Sequence, residues 1–126
     1  MSVDWNRDPS TIKDRQKIIM FFPGLAGDSS RGYIKMLCNW FLQYDDYLIG
    51  VVHARGVNTE LKTDELIKLS MMDDWRTSMN LVTSKLDALK LDYDLYGVGF
   101  SMGGNLMLRY QALTPESRFK ALLAIC

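Results

Sequence analysis

The sequence predicts a single α/β domain, and the spacing of its apolar residues carries that prediction. Four short apolar runs lie along the 126 residues, and longer stretches with helical periodicity separate them. Glycine or proline follows soon after the first two runs, at Pro23 and Gly56, as is typical after buried strands. The predicted order is βαβαβαβ, and no repeat, low-complexity tract or linker marks a second domain.

The four short runs are predicted to be strands. They are largely continuous and apolar, which is typical of strands buried on both faces, and they lie at residues 17–22, 47–53, 94–100 and 119–125. Strands separated by helices pair in parallel through right-handed crossovers. The sequence therefore predicts a parallel sheet covered by helices.

Three helices are predicted between these strands. After the first strand, the apolar residues fall on one face of a helix, namely Tyr33, Met36, Leu37, Trp40 and Phe41. A second helix begins at Asp73, where acidic residues suit the positive end of the helix dipole, and a third runs from Gly103 to about Leu113. The polar stretch 54–72 is predicted to be a loop.

Composition excludes several classes of protein. Lys and Arg together number 15, as do Asp and Glu, and 48% of the residues are hydrophobic, so disorder and a basic nucleic-acid surface are both disfavoured. The two cysteines, Cys38 and Cys126, cannot make a disulfide framework, and no zinc-ligand spacing is present. No apolar run approaches the roughly 20 residues of a membrane-spanning helix. The composition therefore predicts a soluble, globular chain but indicates no particular chemistry.

The third strand runs directly into a G-x-S-x-G motif at residues 99–103, followed by a helix. In this context the serine occupies a strained turn that lifts its hydroxyl clear of the sheet, and the flanking glycines let strand and helix backbones approach. The motif predicts Ser101 as a catalytic nucleophile. A tight structural turn is the simpler alternative, since three fixed positions in five also arise by chance.

A dinucleotide-binding loop is a second alternative at the same turn. Gly97, Gly99 and Gly103 give G-x-G-x-x-x-G, whereas the standard fingerprint requires glycine where Met102 stands. That fingerprint also expects an acidic residue at the end of the next strand, and the chain there reads Ala-Ile-Cys. The nucleotide interpretation is therefore the weaker one.

An acyl-transfer serine needs donors for the oxyanion of the tetrahedral intermediate. The backbone amide of Met102, directly after the nucleophile, is the predicted first donor. The predicted second donor is the amide of Leu25, in the glycine-rich loop 23–27 after the first strand. Read alone, this loop could simply precede a helix capped by Ser29 or Ser30.

A general base for Ser101 is missing from the sequence pattern. The single histidine, His53, ends the second strand and precedes the serine, whereas in this chain order the acid and the histidine follow it. A packed structural histidine is the preferred interpretation of His53. After Ser101 the only acidic residue is Glu116. We therefore expect the 126-residue chain alone to be nearly inert as a hydrolase.

Several motifs together resemble one family. The matching blocks are residues 22–30, 32–34, 53–56, 60–63 and 99–105. In this order they are similar to the embryogenesis-associated (AB hydrolase type 4) family of α/β hydrolases, also called the YheT family. The resemblance implies a partial α/β-hydrolase fold, with residues 1–126 as the N-terminal part of one domain and a first strand ending near 3–5. It also implies that the triad Asp and His follow later strands, and the uncovered strand at 119–125 fits that expectation.

Carried over to this chain, the resemblance implies Ser101 as nucleophile and Leu25 and Met102 as oxyanion donors. Two departures concern the second strand: His53 stands where the family usually has Asn, and residues 57–59 replace a glycine-rich turn.

Such proteins are esterases, lipases or acyltransferases acting on medium-chain acyl esters. They need no metal or organic cofactor, and some are membrane-anchored. The implied partner is a small-molecule acyl ester or lipid; Phe100, Met102 and Leu25 could line its site or belong to the core. The competing class is a catalytically incomplete product that binds lipid or a protein partner.

Overall fold

A five-stranded sheet organises the computed structural model, which describes residues 1–61, 64 and 72–126. The elements are β1 (Ser2–Trp5), a 3-10 turn (Pro9–Thr11), β2 (Gln16–Phe22), α1 (Gly32–Tyr44), β3 (Leu48–His53), α2 (Met72–Asp87), β4 (Tyr93–Phe100), α3 (Met102–Leu113) and β5 (Phe119–Ile125). The predicted α/β class and the predicted order of strands and helices from β2 to β5 are therefore confirmed. Part of the predicted loop 54–72 and of the matched block 60–63 lies outside the described residues.

The spatial order of the strands is β1-β3-β2-β4-β5. The strands β2 to β5 are parallel to their neighbours, as predicted, whereas β1 is antiparallel to β3. The antiparallel pairing was not predicted, because four residues are too few to show a periodicity. This order places the ends of β3, β2 and β4 side by side along one edge of the sheet.

Helices cover both faces of the sheet, and β2 is buried between them. Ile18, Met20 and Phe22 face a core that α2 and α3 complete. Ile19 and Phe21 point to the opposite face, where α1 packs. Because successive side chains of a strand alternate between faces, a continuous apolar run is the sequence that a doubly covered strand requires.

The last strand is covered less completely than the others. On β5, Leu123 is 55% exposed and Ile125 is 40% exposed, although β5 pairs with β4 along its length.

Among the described helices, none is both long and apolar enough to cross a lipid bilayer.

Candidate active site

Ser101 lies between the end of β4 and the start of α3, in a conformation that L-amino acids rarely adopt. Its φ is 49° and its ψ is −119°. Side chains at positive φ crowd their own backbone, and such strain persists only where the surroundings impose it. The turn therefore holds Ser101 against a local conformational preference.

Glycines make this turn possible because strand, helix and neighbouring loop lie very close together. A Cβ on Gly99 would stand 2.5 Å from the Cα of Gly104, and a Cβ on Gly103 would stand 2.2 Å from the carbonyl oxygen of Phe22. Both glycines are thus packed against protein backbone. Their role in chain packing accounts for the glycine spacing without a bound nucleotide.

The backbone of Ser101 is hydrogen-bonded, whereas its hydroxyl is not. Its N–H donates to the carbonyl of Ile125 at 2.7 Å, and its carbonyl accepts from the amide of Asn105 at 3.0 Å. Serine at a helix N-cap usually accepts a bond from the first turn through its side chain, but Ser101 makes no such bond. Its side chain is exposed and has no hydrogen-bond partner in the described part of the chain.

The loop after β2 lies beside this serine. A Cβ built on Gly24 would be 3.4 Å from the Cβ of Ser101 and 4.0 Å from its Oγ. The loop turns back on itself, since the amide of Gly27 donates to the carbonyl of Gly24 at 2.9 Å and Ala26 has a φ of 52°. Leu25, at the tip, is 69% exposed. The structure thus brings the Leu25 loop and Ser101 together.

The two amides named as oxyanion donors have no competing backbone acceptor. Neither Leu25 nor Met102 donates a backbone hydrogen bond within residues 1–61 and 72–126. For Met102 this follows from its place as the first residue of α3, where helical N–H groups lack an intrahelical acceptor. The N-terminal end of α3 also carries a partial positive charge that favours a developing oxyanion.

His53 is fully buried at the end of β3, and both of its ring nitrogens are occupied. The amide of Ser29 donates to Nε2 at 3.2 Å, and Nδ1 lies 3.3 Å from the hydroxyl of Ser2. A carboxylate oxygen of Asp4 is 3.4 Å from the same Nε2. Because an N–H can be donated only to an unprotonated nitrogen, we assign the neutral ring with its proton on Nδ1.

His53 and Ser101 face different neighbours. Strand β2 lies between their strands, with Phe21 opposite both Val51 and Val98, so the parent strands are about 10 Å apart. The contacts of His53 lie on β1 and on the loop before α1. The structure therefore supports the interpretation of His53 as a packed residue rather than as a base for Ser101.

Glu116, the other candidate partner, lies at the wrong end of the sheet. It precedes Phe119, which pairs with Leu95 near the start of β4, whereas Ile125 pairs with Phe100 beside the serine. Glu116 is also exposed. The described residues thus place neither of the two candidate partners next to the Ser101 hydroxyl.

The apolar residues around the turn divide between surface and core. Phe100 stacks on Phe21, with ring centroids 6.4 Å apart. Its ring centroid is also 4.7 Å from that of Tyr33. Met102 is half-buried against the core under α2 and α3, whereas Leu25 is mostly in solvent. Within residues 1–61, 64 and 72–126, no group of His, Cys, Asp and Glu side chains is placed to hold a metal ion.

Sequence analysis did not identify the polar set around His53. Ser29 was considered only as a helix cap, but α1 has Arg31 at its N-cap without a side-chain bond, and the Ser29 hydroxyl donates instead to Asp4 at 2.5 Å. The partners of His53 are 24 and 51 residues away in the chain. No local pattern could have revealed them.

Comparison with known proteins identifies the fold. No protein-family model and no curated protein sequence matches the chain. Solved structures do: Est1E from Butyrivibrio proteoclasticus with ferulic acid bound has a TM-score of 0.71 at 17% identity, covering 96% of this chain and 46% of that one. Mouse alpha/beta hydrolase domain-containing protein 10 gives 0.67 at 17% identity, covering 97% and 43%.

A thermostable carboxyl esterase from Bacillus coagulans, solved with glycerol, matches with a TM-score of 0.59 at 19% identity, covering 90% of this chain and 36% of that one. The chain thus spans less than half the length of each of these three structures. At such low identity the likeness concerns the fold, and the narrower resemblance to the embryogenesis-associated family stays a prediction. The chain has the fold of the α/β hydrolases, over part of their length.

Proposed function

We propose that this chain is part of a serine carboxylester hydrolase or acyltransferase and that Ser101 is its nucleophile. The observation that carries the proposal is the state of its side chain. Ser101 is held at a φ of 49° by backbone hydrogen bonds, while its exposed hydroxyl forms no cap on α3. A serine that served only as a turn residue would gain by using its hydroxyl as a cap or by being glycine.

In the proposed reaction the Ser101 oxygen attacks the acyl carbon of an ester. The negative charge passes to the carbonyl oxygen, which the amides of Leu25 and Met102 stabilise. Collapse of the intermediate breaks the ester bond and releases the alcohol. Water then takes the acyl group in a hydrolase, whereas a second alcohol takes it in an acyltransferase.

The proton of the Ser101 hydroxyl must pass to a base. The proposal assigns the role of base to a histidine of the same hydrolase domain outside residues 1–126. His53 is the only histidine of the 126 residues, and its nitrogens are bonded to other groups. The match to less than half of each of the three solved structures named above supports this assignment. On this proposal, residues 1–126 are the N-terminal part of the hydrolase domain.

The proposed substrate is a medium-chain acyl ester. Its support is the apolar character of the residues beside the serine, above all the exposed side chain of Leu25. Association of the whole protein with a membrane would fit such a substrate and is part of the same proposal.

A fluorophosphonate probe, which reacts with activated serines, tests the nucleophile in the whole protein. We expect labelling of the wild type and none of Ser101→Ala, because the probe forms its covalent bond to the serine oxygen, which alanine lacks. The matched control is Ser84→Ala, which removes an exposed serine from α2. Equal labelling of wild type and Ser101→Ala would refute the assignment.

A non-catalytic role in binding lipid or a protein partner is the second candidate. The observation that favours it is the lack of an acid or a histidine beside Ser101 within the described ranges. If the wild type binds medium-chain esters but neither labels nor turns them over, the binding role replaces the catalytic one.

A further inference from the structure

His53 connects three segments that are distant in sequence. Its Nδ1 lies 3.3 Å from the Ser2 hydroxyl on β1, and its Nε2 accepts the amide of Ser29 at 3.2 Å. Ser29 also donates its hydroxyl to Asp4 at 2.5 Å. The imidazole is completely buried, so losing one of these bonds would leave a buried polar group unsatisfied.

Ser29 belongs to the same loop as Leu25, and the loop is internally connected. Besides the turn at residues 24–27, the amide of Arg31 donates to the carbonyl of Asp28 at 3.3 Å. The guanidinium of Arg31 reaches back to the carbonyl of Ala26 at 2.8 Å. A displacement of Ser29 would therefore be transmitted to the turn that carries Leu25.

The bond from Ser29 to His53 requires a neutral imidazole. A proton on Nε2 would convert the acceptor into a donor, and the Ser29 amide would lose its partner. The protonated nitrogen would then find the Asp4 carboxylate, already 3.4 Å away. The other charged groups nearby are Asp28 on the loop, whose charge interacts with His53, and Lys35 of α1, which lines a cavity together with Asp4 and Ser29.

We infer that His53 is a positioning residue that holds the Leu25 loop beside Ser101 only while its ring is neutral. Protonation transfers Nε2 from the Ser29 amide to the Asp4 carboxylate, so the loop loses its amide bond to β3 while the Ser29 hydroxyl stays bonded to Asp4 of β1. The consequence for catalysis rests on the proposed function, whereas the hydrogen-bond exchange does not.

The exchange itself is measured by NMR on the wild-type protein, titrated from pH 8 to pH 5. At pH 8 we expect the Nε2 resonance of an unprotonated ring nitrogen and a Ser29 amide protected from exchange with water. As His53 becomes protonated, protection of the Ser29 amide should fall with the same midpoint. A proton on Nε2 at pH 8 would overturn the inference. So would protection of the Ser29 amide that does not change as His53 is protonated.

Two variants separate the roles of the acceptor and the carboxylate. In His53→Gln the amide oxygen reaches the position of Nε2 and accepts without titrating, so Ser29 should stay protected down to pH 5. In Asp4→Asn the protonated ring loses the negative charge that stabilises it, although the amide oxygen can still accept a bond, and loss of Ser29 protection should move to lower pH. An Asp4→Asn titration that coincides with the wild type would contradict the proposed exchange.

Activity supplies the positioning readout. In the whole protein we expect kcat to fall by about 10²-fold as His53 is protonated, with KM nearly constant, because an oxyanion donor acts in the transition state and removing one costs about 10²–10³-fold. The difference between the wild-type and His53→Gln pH profiles isolates this effect from the general base. If Ser101→Ala shows that the catalytic proposal fails, the NMR result still stands by itself.

Discussion

Two polar residues stand at the same edge of the sheet, at the carboxyl ends of β4 and β3, in opposite situations. Ser101 has a strained backbone and a free, exposed side chain, whereas His53 has regular strand geometry and a buried side chain with both nitrogens occupied. The serine costs conformational energy and leaves its hydroxyl available for chemistry. The histidine contributes to stability and leaves nothing available. Of these two residues, only Ser101 therefore keeps a hydrogen-bonding group that is free to react.

The largest effect is expected where the serine turn packs on β2. A methyl group at Gly103 would meet the carbonyl oxygens of Phe22 and Pro23 at 2.2 and 2.3 Å, and backbone atoms cannot rotate away as a side chain can. We expect Gly103→Ala to lower the free energy of unfolding by about 3 kcal/mol or more. Thermal and urea denaturation measure it.

Gly32→Ala is the matched control for that substitution. Gly32 is the first residue of α1, as Gly103 is the second residue of α3, but a Cβ on Gly32 would meet nothing within 4 Å. It should be neutral or slightly stabilising, because alanine favours helix over glycine. Equal losses in the two variants would show that the close packing of the serine turn is unimportant.

The next effect concerns the histidine side of the comparison. His53→Leu leaves the half-buried Ser29 amide without its His53 acceptor, and we expect a loss of about 2 kcal/mol. His53→Gln should recover most of it, since its amide oxygen can accept the same bond. If His53→Leu is as stable as the wild type, the contrast with Ser101 has no energetic basis.

The sequence allowed the elements of the fold to be predicted closely because their apolar patterns are local. The predicted run 119–125 coincides with β5, and the predicted helix from Asp73 begins one residue after the start of α2. The order of strands in the sheet could not be derived, because pairing depends on contacts between distant segments. The antiparallel β1 was invisible to periodicity because four residues are too few to show one.

In the candidate site, too, the features made by contiguous residues could be predicted and those made by distant segments could not. The G-x-S-x-G motif predicts the strained turn at Ser101, since strand, turn and helix are contiguous there. The loop of Leu25 was predicted to approach the serine, and Gly24 does lie beside it. The polar set of Ser2, Asp4 and Ser29 around His53 was missed, because each member lies on a different part of the chain.

A smaller effect is expected just beyond His53, where Arg55 donates two bonds to Asp74 of α2 at 2.8 and 2.6 Å. These bonds hold the pKa of the Asp74 carboxyl below its ordinary value of 3.8. The carboxylate therefore contributes stability above about pH 4, and the contribution is lost as the pH falls through the lowered value. Asp74→Asn should cost about 1.5 kcal/mol at pH 7, and the deficit should shrink in acid.

Asp73→Asn is the control for this ion pair. It removes the same charge from the same turn of α2, but its carboxylate is 98% exposed and 3.9 Å from Arg76. We expect little change in stability at any pH, because exposed pairs are weak. Denaturant midpoints at pH 7 and pH 3 measure the stability of both variants. A larger loss of stability in Asp73→Asn than in Asp74→Asn would mean that partial burial does not strengthen the ion pair of Asp74.

The smallest change carries the opposite sign and tests the strained side of the comparison directly. Ser101→Gly should raise stability by about 1 kcal/mol, because glycine tolerates a φ of 49° and the relief of strain exceeds its extra entropy in the unfolded chain. The same substitution at Ser84, on the exposed face of α2, should lower stability, since glycine disfavours helix. Thermal denaturation compares the two. A turn that becomes more stable when it loses its serine is one where the hydroxyl is kept at the expense of the fold, and a loss at both positions would remove that argument for a nucleophile.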